Sequence, residues 1–155
     1  MINMEVTVMS RDAAVKYCRQ SHKQKTIMIS VSDPYITYFN EPFCTEENKV
    51  IAIQRLFFCD ADRIGKDVYG RDTKEKDLFN EDDAYLIKRL LDKFPNTDVI
   101  VHCDAGISRS SGIAAAILKA YTNDDTKIFD NPKYRPNMLC YRTTLNELIG
   151  GNENE

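Results

Sequence analysis

Val99-Ile100-Val101-His102-Cys103-Asp104-Ala105-Gly106-Ile107-Ser108-Arg109-Ser110-Ser111-Gly112 is the stretch on which the reading of this chain turns. The run Asp98 to His102 is short, apolar and β-branched, the pattern of a buried parallel strand. Ser110 to Tyr121 is rich in Ala, Ile and Leu at helical spacing, so Cys103 to Arg109 must be the turn between strand and helix. Amide groups at a helix N-terminus lack intrahelical partners and carry the positive end of the dipole, so a loop that curls there can surround an anion. Gly106 supplies the backbone freedom the curl needs. The same field favours the thiolate of a cysteine held in it. Arg109 adds a planar fork that can grip two oxygens of a phosphate at once. Asp104, Ala105, Gly106, Ile107 and Ser108 would then line the cradle between them.

Working outward, strands and helices alternate. Met4 to Met9 reads as a strand, and Ser10 can cap a helix from Arg11 to about Arg19. Thr26 to Val31 and Val50 to Phe58 read as further strands, separated by a loop containing Pro34 and Pro42. A polar stretch from Cys59 to Phe79 precedes a helix starting near Asn80, whose Ile87, Leu90, Leu91 and Phe94 share one face. This order predicts an α/β fold, a mainly parallel central sheet flanked by helices, in which ligands bind beyond the carboxyl ends of the strands. Cys103 falls at such an end. One domain over residues 1–150 is expected, with 151–155 a loose tail.

The residues His102, Cys103, Arg109 and Ser110 fill the pattern His-Cys, five residues, Arg, Ser or Thr, and so resemble the cysteine-dependent protein phosphatases. The fuller form His-Cys-x-Ala-Gly-x-Ser-Arg-Ser, from His102 to Ser110, resembles the dual-specificity branch. Ala114 to Tyr121 and the Arg135-Pro136-Asn137 start of a last helix over Leu139 to Ile149 extend the likeness over about the final third of the chain. The chain departs from the tyrosine phosphatases that carry a mobile Trp-Pro-Asp loop, because it contains no tryptophan. The resemblance implies a dual-specificity phosphatase-like fold and phosphomonoester hydrolysis through a phosphocysteine on Cys103. It also implies phosphate binding by Arg109 and the loop amides, and a hydroxyl on Ser110 that stabilises the departing thiolate. No metal or organic cofactor is expected.

Such chemistry needs an acid to protonate the leaving oxygen. Asp60, where the apolar run stops, is the leading candidate. Asp62 follows closely, and Asp72 stands at a sequence distance from Cys103 nearer the family's usual one. The polar insert Arg63 to Lys76 creates this choice. His102, pointing to the opposite face of its strand, is expected to orient the loop rather than act as a base. Asn137 is expected to cap the last helix, His22 to be solvated, and Tyr35, Tyr38 and Phe39 to cover a core edge or wall the pocket. Cys59, beside Asp60, is expected to be a packed thiol, with reversible pairing to Cys103 the alternative.

Composition narrows the rest. With 155 residues, 43% of them apolar and 29% charged, the chain can bury a core of its own. No apolar run approaches the roughly 20 residues of a membrane span, and the start Met-Ile-Asn-Met-Glu lacks a signal-peptide pattern, so a cytoplasmic protein is expected. Five scattered cysteines without Cys-x-x-Cys pairs argue for reduced thiols rather than disulfides or zinc. A net charge of −3 and the lack of a basic stripe disfavour nucleic acid, and no membrane partner is expected. A phosphorylated protein, phosphotyrosine first, is the expected partner, since Asp104 would repel a multiply phosphorylated ring unless it turns away. Phosphoinositide or RNA 5′-phosphate hydrolysis, a non-catalytic phosphate-binding module, and sulfur transfer or arsenate reduction are the alternatives.

Overall fold

The computed structural model describes residues 4–150, so the expected tail at 151–155 lies outside the described residues. In chain order come β1 (Val6–Ser10), α1 (Arg11–Cys18), β2 (Thr26–Ser32), β3 (Val50–Phe57), the short β4 (Gly65–Lys66) and β5 (Asp72–Thr73) and a 3-10 turn (Glu75–Asp77). Then follow α2 (Glu81–Lys93), β6 (Asp98–Cys103), α3 (Arg109–Thr122), α4 (Thr126–Phe129) and α5 (Met138–Leu145), which runs into a π turn (Asn146–Gly150). Strands β1, β6, β2 and β3 lie side by side in that order, all parallel, which is the α/β architecture the alternation predicts. Among the described residues no helix is long and apolar enough to cross a membrane.

Strand periodicity divides the interior. Ile27, Ile29, Val31, Val99 and Val101 face the larger core, together with Ile87, Leu90 and Leu91 of α2 and Ile113 and Ile117 of α3. Met28 and Ile100, one residue out of phase, face a smaller cluster with Ala14 and Cys18 of α1. His102 and Ser30 continue this second parity, so His102 lies on the α1 side of the sheet and Cys103 on the α3 side. The helix starts are those the sequence marks. Ser10 Oγ accepts from the Ala13 amide at 3.1 Å, and Asn80 and Asp83 cap α2 reciprocally at 3.1 Å each. The β4–β5 hairpin, the 3-10 turn and α4 are absent from the sequence reading, because elements of two to four residues show no period.

The contact between α3 and α5 depends on Gly112. A Cβ added there would run into the Asn137 carbonyl oxygen and stand 3.1 Å from Cys140 Cβ. The obstacle is backbone and cannot swing aside. Gly112→Ala is therefore expected to destabilise the protein by about 1–3 kcal/mol, read as a drop of about 2–4 °C in Tm per kcal/mol. An unchanged Tm would contradict the closeness of this packing.

Candidate active site

Strand β6 pairs with β1 so that Cys103 stands opposite Ser10, and the chain then turns back toward the start of α3. Gly106 makes that turn possible. Its φ is +72°, and a Cβ there would sit 2.7 Å from the Met9 carbonyl carbon and the Ser10 nitrogen. The carbonyls of the loop are engaged outward. Cys103 O meets His102 Nδ1 at 3.2 Å, Asp104 O accepts from the Arg11 amide at 3.2 Å, and Ile107 O accepts from the Arg135 amide at 3.0 Å. Ser108 O accepts from the amides of Asn137 at 2.9 Å and Gly112 at 3.0 Å. With these four carbonyls engaged, the amides of the loop can serve an anion.

Around this loop the structure gathers Cys103, Arg109, Ser110 and Asp60. Cys103 Sγ lies 3.0 Å from Ser110 Oγ, both buried. Arg109 is only 2% exposed. Its Nη1 donates to the Phe58 carbonyl at 2.7 Å, its Nη2 lies 3.5 Å from Asp104 Oδ2, and its Nε has no partner among the described residues. Burial works against its charge, but Cys103, Asp60 and Asp104 outweigh it and raise its pKa above the ordinary arginine value.

Of the three candidate acids, Asp60 is the one bonded to the loop. It is buried, and its Oδ1 accepts from Ser108 Oγ at 2.9 Å and from Asn137 Nδ2 at 3.0 Å. Both bonds fall on the one oxygen. Asp62 pairs instead with Arg63 at 3.0 Å, and that bond lowers its pKa. Asp72, with its side chain 87% exposed, pairs with Lys66 at 2.6 Å across the β4–β5 hairpin. Asn137 caps α5 through its Oδ1, which accepts from the Cys140 amide at 3.0 Å, and its Nδ2 ties that cap to Asp60. The sequence suggests the cap; it does not show the tie.

Several positions differ from expectation or escape it. Asp104 is not free to repel at the rim: Arg11 Nη2 meets it at 3.2 Å, Tyr38 Oη donates to it at 2.9 Å, and Arg109 Nη2 stands 3.5 Å from the same oxygen as Tyr38. Arg11, itself buried, stacks over the Tyr38 ring at 3.5 Å and donates to Ser32 Oγ at 2.9 Å. An arginine at a helix start carries no sequence signal for such a role. Tyr35 donates to Asp77, whereas Phe39 is fully exposed. His22 is not simply solvated, because its ring stacks on Tyr17 at 3.7 Å. Cys59 is buried, and burial first, then Asp33 and Asp77, raises its thiol pKa. Ligand atoms of Asp33, Cys59 and Asp67 lie within 4.8 Å of one another, but the Arg71 guanidinium already bonds both carboxylates and serves as their counter-charge.

No family model and no curated protein matches this sequence. Solved structures do match in fold. PTPMT1 in complex with PI(5)P shares 15% identity with this chain, over 99% of this chain and 96% of that one, at a TM-score of 0.53. A human tyrosine phosphatase-like serine/threonine/tyrosine-interacting protein shares 14% identity over 96% of this chain and 91% of its own, at a TM-score of 0.56. The fold is therefore that of the tyrosine and dual-specificity phosphatases.

His102 holds the loop from behind. A carbonyl can only accept, so Nδ1 donates to Cys103 O, and in the neutral ring that burial favours Nε2 accepts from Ser30 Oγ at 2.6 Å. Burial pushes its pKa down to about 4 from 6.5. The unfolded chain then binds the extra proton first, so stability is lost as pH falls from about 6.5 toward about 4, by at most about 1.4 kcal/mol per pH unit. Urea midpoints of wild type and His102→Gln should diverge least near pH 4 and most above pH 6.5. Parallel curves would contradict a neutral buried ring.

Proposed function

We propose that this protein is a cysteine-dependent phosphomonoester hydrolase that acts on phosphorylated proteins, phosphotyrosine first. The observation that carries the reading is the convergence of a buried thiol, a buried guanidinium, a hydroxyl and a carboxyl on one loop at a helix N-terminus. The phosphatase fold of its structural neighbours supports it. The five cysteines are free, which suits a reducing cytoplasmic setting.

In this mechanism the phosphate seats among the loop amides with Arg109 against two of its oxygens, and Cys103 Sγ attacks phosphorus in line with the ester oxygen. The S–P bond forms as the P–O bond breaks, and Asp60 gives its proton to the departing oxygen. Water then attacks the phosphocysteine, Asp60 takes up the water proton, and the S–P electron pair returns to sulfur. Ser110 Oγ, at 3.0 Å, donates to the thiolate as it leaves. Arg109 and the amides hold the charge in both steps, so the residues present supply the nucleophile, the proton and the charge stabilisation.

A second reading, hydrolysis of a phosphoinositide, gains from two observations. Asp104 is engaged by Arg11 and Tyr38, so its repulsion of further phosphates is weakened. Lys66 and Arg135 also line a cleft of about 370 Å³ beside Asp60 and Ser108.

Phosphate release from p-nitrophenyl phosphate, a phosphotyrosine peptide and a phosphoinositide, followed across pH, separates the readings. Cys103→Ser is expected to abolish turnover. Asp60→Asn should cost about 100-fold or more with the peptide and remove the alkaline limb of the pH profile, while Asp72→Asn keeps that limb. Faster turnover of the phosphoinositide than of the peptide would favour the second reading, and no turnover of any ester would overturn both.

A further inference from the structure

The polar insert between β3 and α2 is the part of the chain that the proposed mechanism does not use, and it is built with care. Asp67 closes a tight turn: its Oδ1 accepts from the amides of Tyr69 and Arg71 at 2.9 Å each, and its carbonyl accepts from Gly70 at 3.0 Å. Gly70 takes the φ of +81° that the turn demands. Asp67 is buried, and burial alone would raise its pKa, but the Arg71 and Tyr69 amides and the Arg71 guanidinium hold it below the usual carboxylate range. Arg71 reaches from Asp67 to Asp33 at the end of β2, with Nη1 at 3.2 Å from Asp33 Oδ1. The hairpin is thereby latched to the sheet by a guanidinium between two buried carboxylates.

The residue this turn presents is Tyr69. Val68, just before it, and Arg71, two residues after it, are each tied to residues that bond the phosphate cradle. On one side, the Val68 amide donates to the Asp60 carbonyl at 3.1 Å, and Asp60 is bonded to Ser108. On the other, Arg71 holds Asp33, whose amide donates to Tyr38 Oη at 3.0 Å, and Tyr38 holds Asp104. Tyr69 is 54% exposed, and the Arg71 guanidinium carbon lies over its ring at 5.1 Å. Burial first, then the charge of Asp104, raises the pKa of its hydroxyl. Arg109, Asp60 and Cys103 act on it too, so the fields of both edges of the cradle reach this ring.

We propose that the latched hairpin holds the Tyr69 ring as one wall of the cradle's mouth, making it a specificity-determining residue that favours aryl over alkyl phosphomonoesters. An exposed aromatic ring fixed beside an anion site offers an apolar face to the group that carries the phosphate. A phenyl ring packs against it in a stacked or edge arrangement, whereas a serine or threonine methylene has little surface to offer. The inference rests on the phosphomonoester reading of the same site, and its test does not require turnover.

The experiment is calorimetric binding of two peptides of identical sequence, one carrying phosphotyrosine and one phosphothreonine, to Cys103→Ser protein with Tyr69 intact, Tyr69→Phe or Tyr69→Ala. The phosphotyrosine preference should fall by about tenfold in Tyr69→Ala and stay within about twofold in Tyr69→Phe. Because the ring is half exposed, Tm should hold in both variants. A preference unchanged by Tyr69→Ala, an equal weakening of both peptides, or binding of neither would overturn the inference. Failure of the hydrolase reading would show separately, as no phosphate release by the Cys103 protein.

Discussion

A guanidinium with 2% of its surface exposed is the constraint around which the site is arranged. Removing such a charge from water costs on the order of several kcal/mol after relaxation, and a structure keeps it only by surrounding it with acceptors and opposite charge. Arg109 receives one carbonyl, from Phe58, and the fields of Cys103, Asp60 and Asp104. Each of those groups is then fixed in turn. Phe58 is held by Ser32 at the end of β2, Asp60 by Ser108 and Asn137, and Asp104 by Arg11 and Tyr38. The ends of β2, β3 and β6 and the starts of α1, α3 and α5 thus meet at one charge.

Local patterns carried most of the sequence reading. The four long strands and α1, α2, α3 and α5 appear where apolar periods and caps place them, because burial on one face leaves a period that a sequence displays. Cys103, Arg109 and Ser110 come together for the same reason, being neighbours in one turn. The parts that were not legible depend on contacts distant in sequence. Arg11 reaches Asp104 across 93 positions, and Asn137 reaches Asp60 across 77. Neither residue differs locally from any other helix-start arginine or cap asparagine. His22 shows the same limit, since only the folded chain brings its ring onto Tyr17.

Of Asp60, Asp62 and Asp72, Asp60 is the one the structure bonds to the loop. Counting back from Cys103 favours Asp72, but Asp72 is largely exposed on the β4–β5 hairpin and pairs with Lys66. Asp60, held by the strand end and by Asn137, keeps its place against the loop. The insert therefore leaves the proposed proton donor in place while adding a second layer at the mouth of the cradle, secured by Arg71.

In the proposed reaction the phosphoryl group passes through Cys103 sulfur. Ser110→Ala should slow the departure of that sulfur and let the intermediate accumulate, so acid quench of this variant during turnover of p-nitrophenyl phosphate, followed by peptide mass analysis, tests it most directly. The account predicts a Cys103-containing peptide heavier by one phosphoryl group, lost on later quenching as substrate is exhausted. Phosphate release at a measurable rate with that peptide unmodified at every quench time would contradict it.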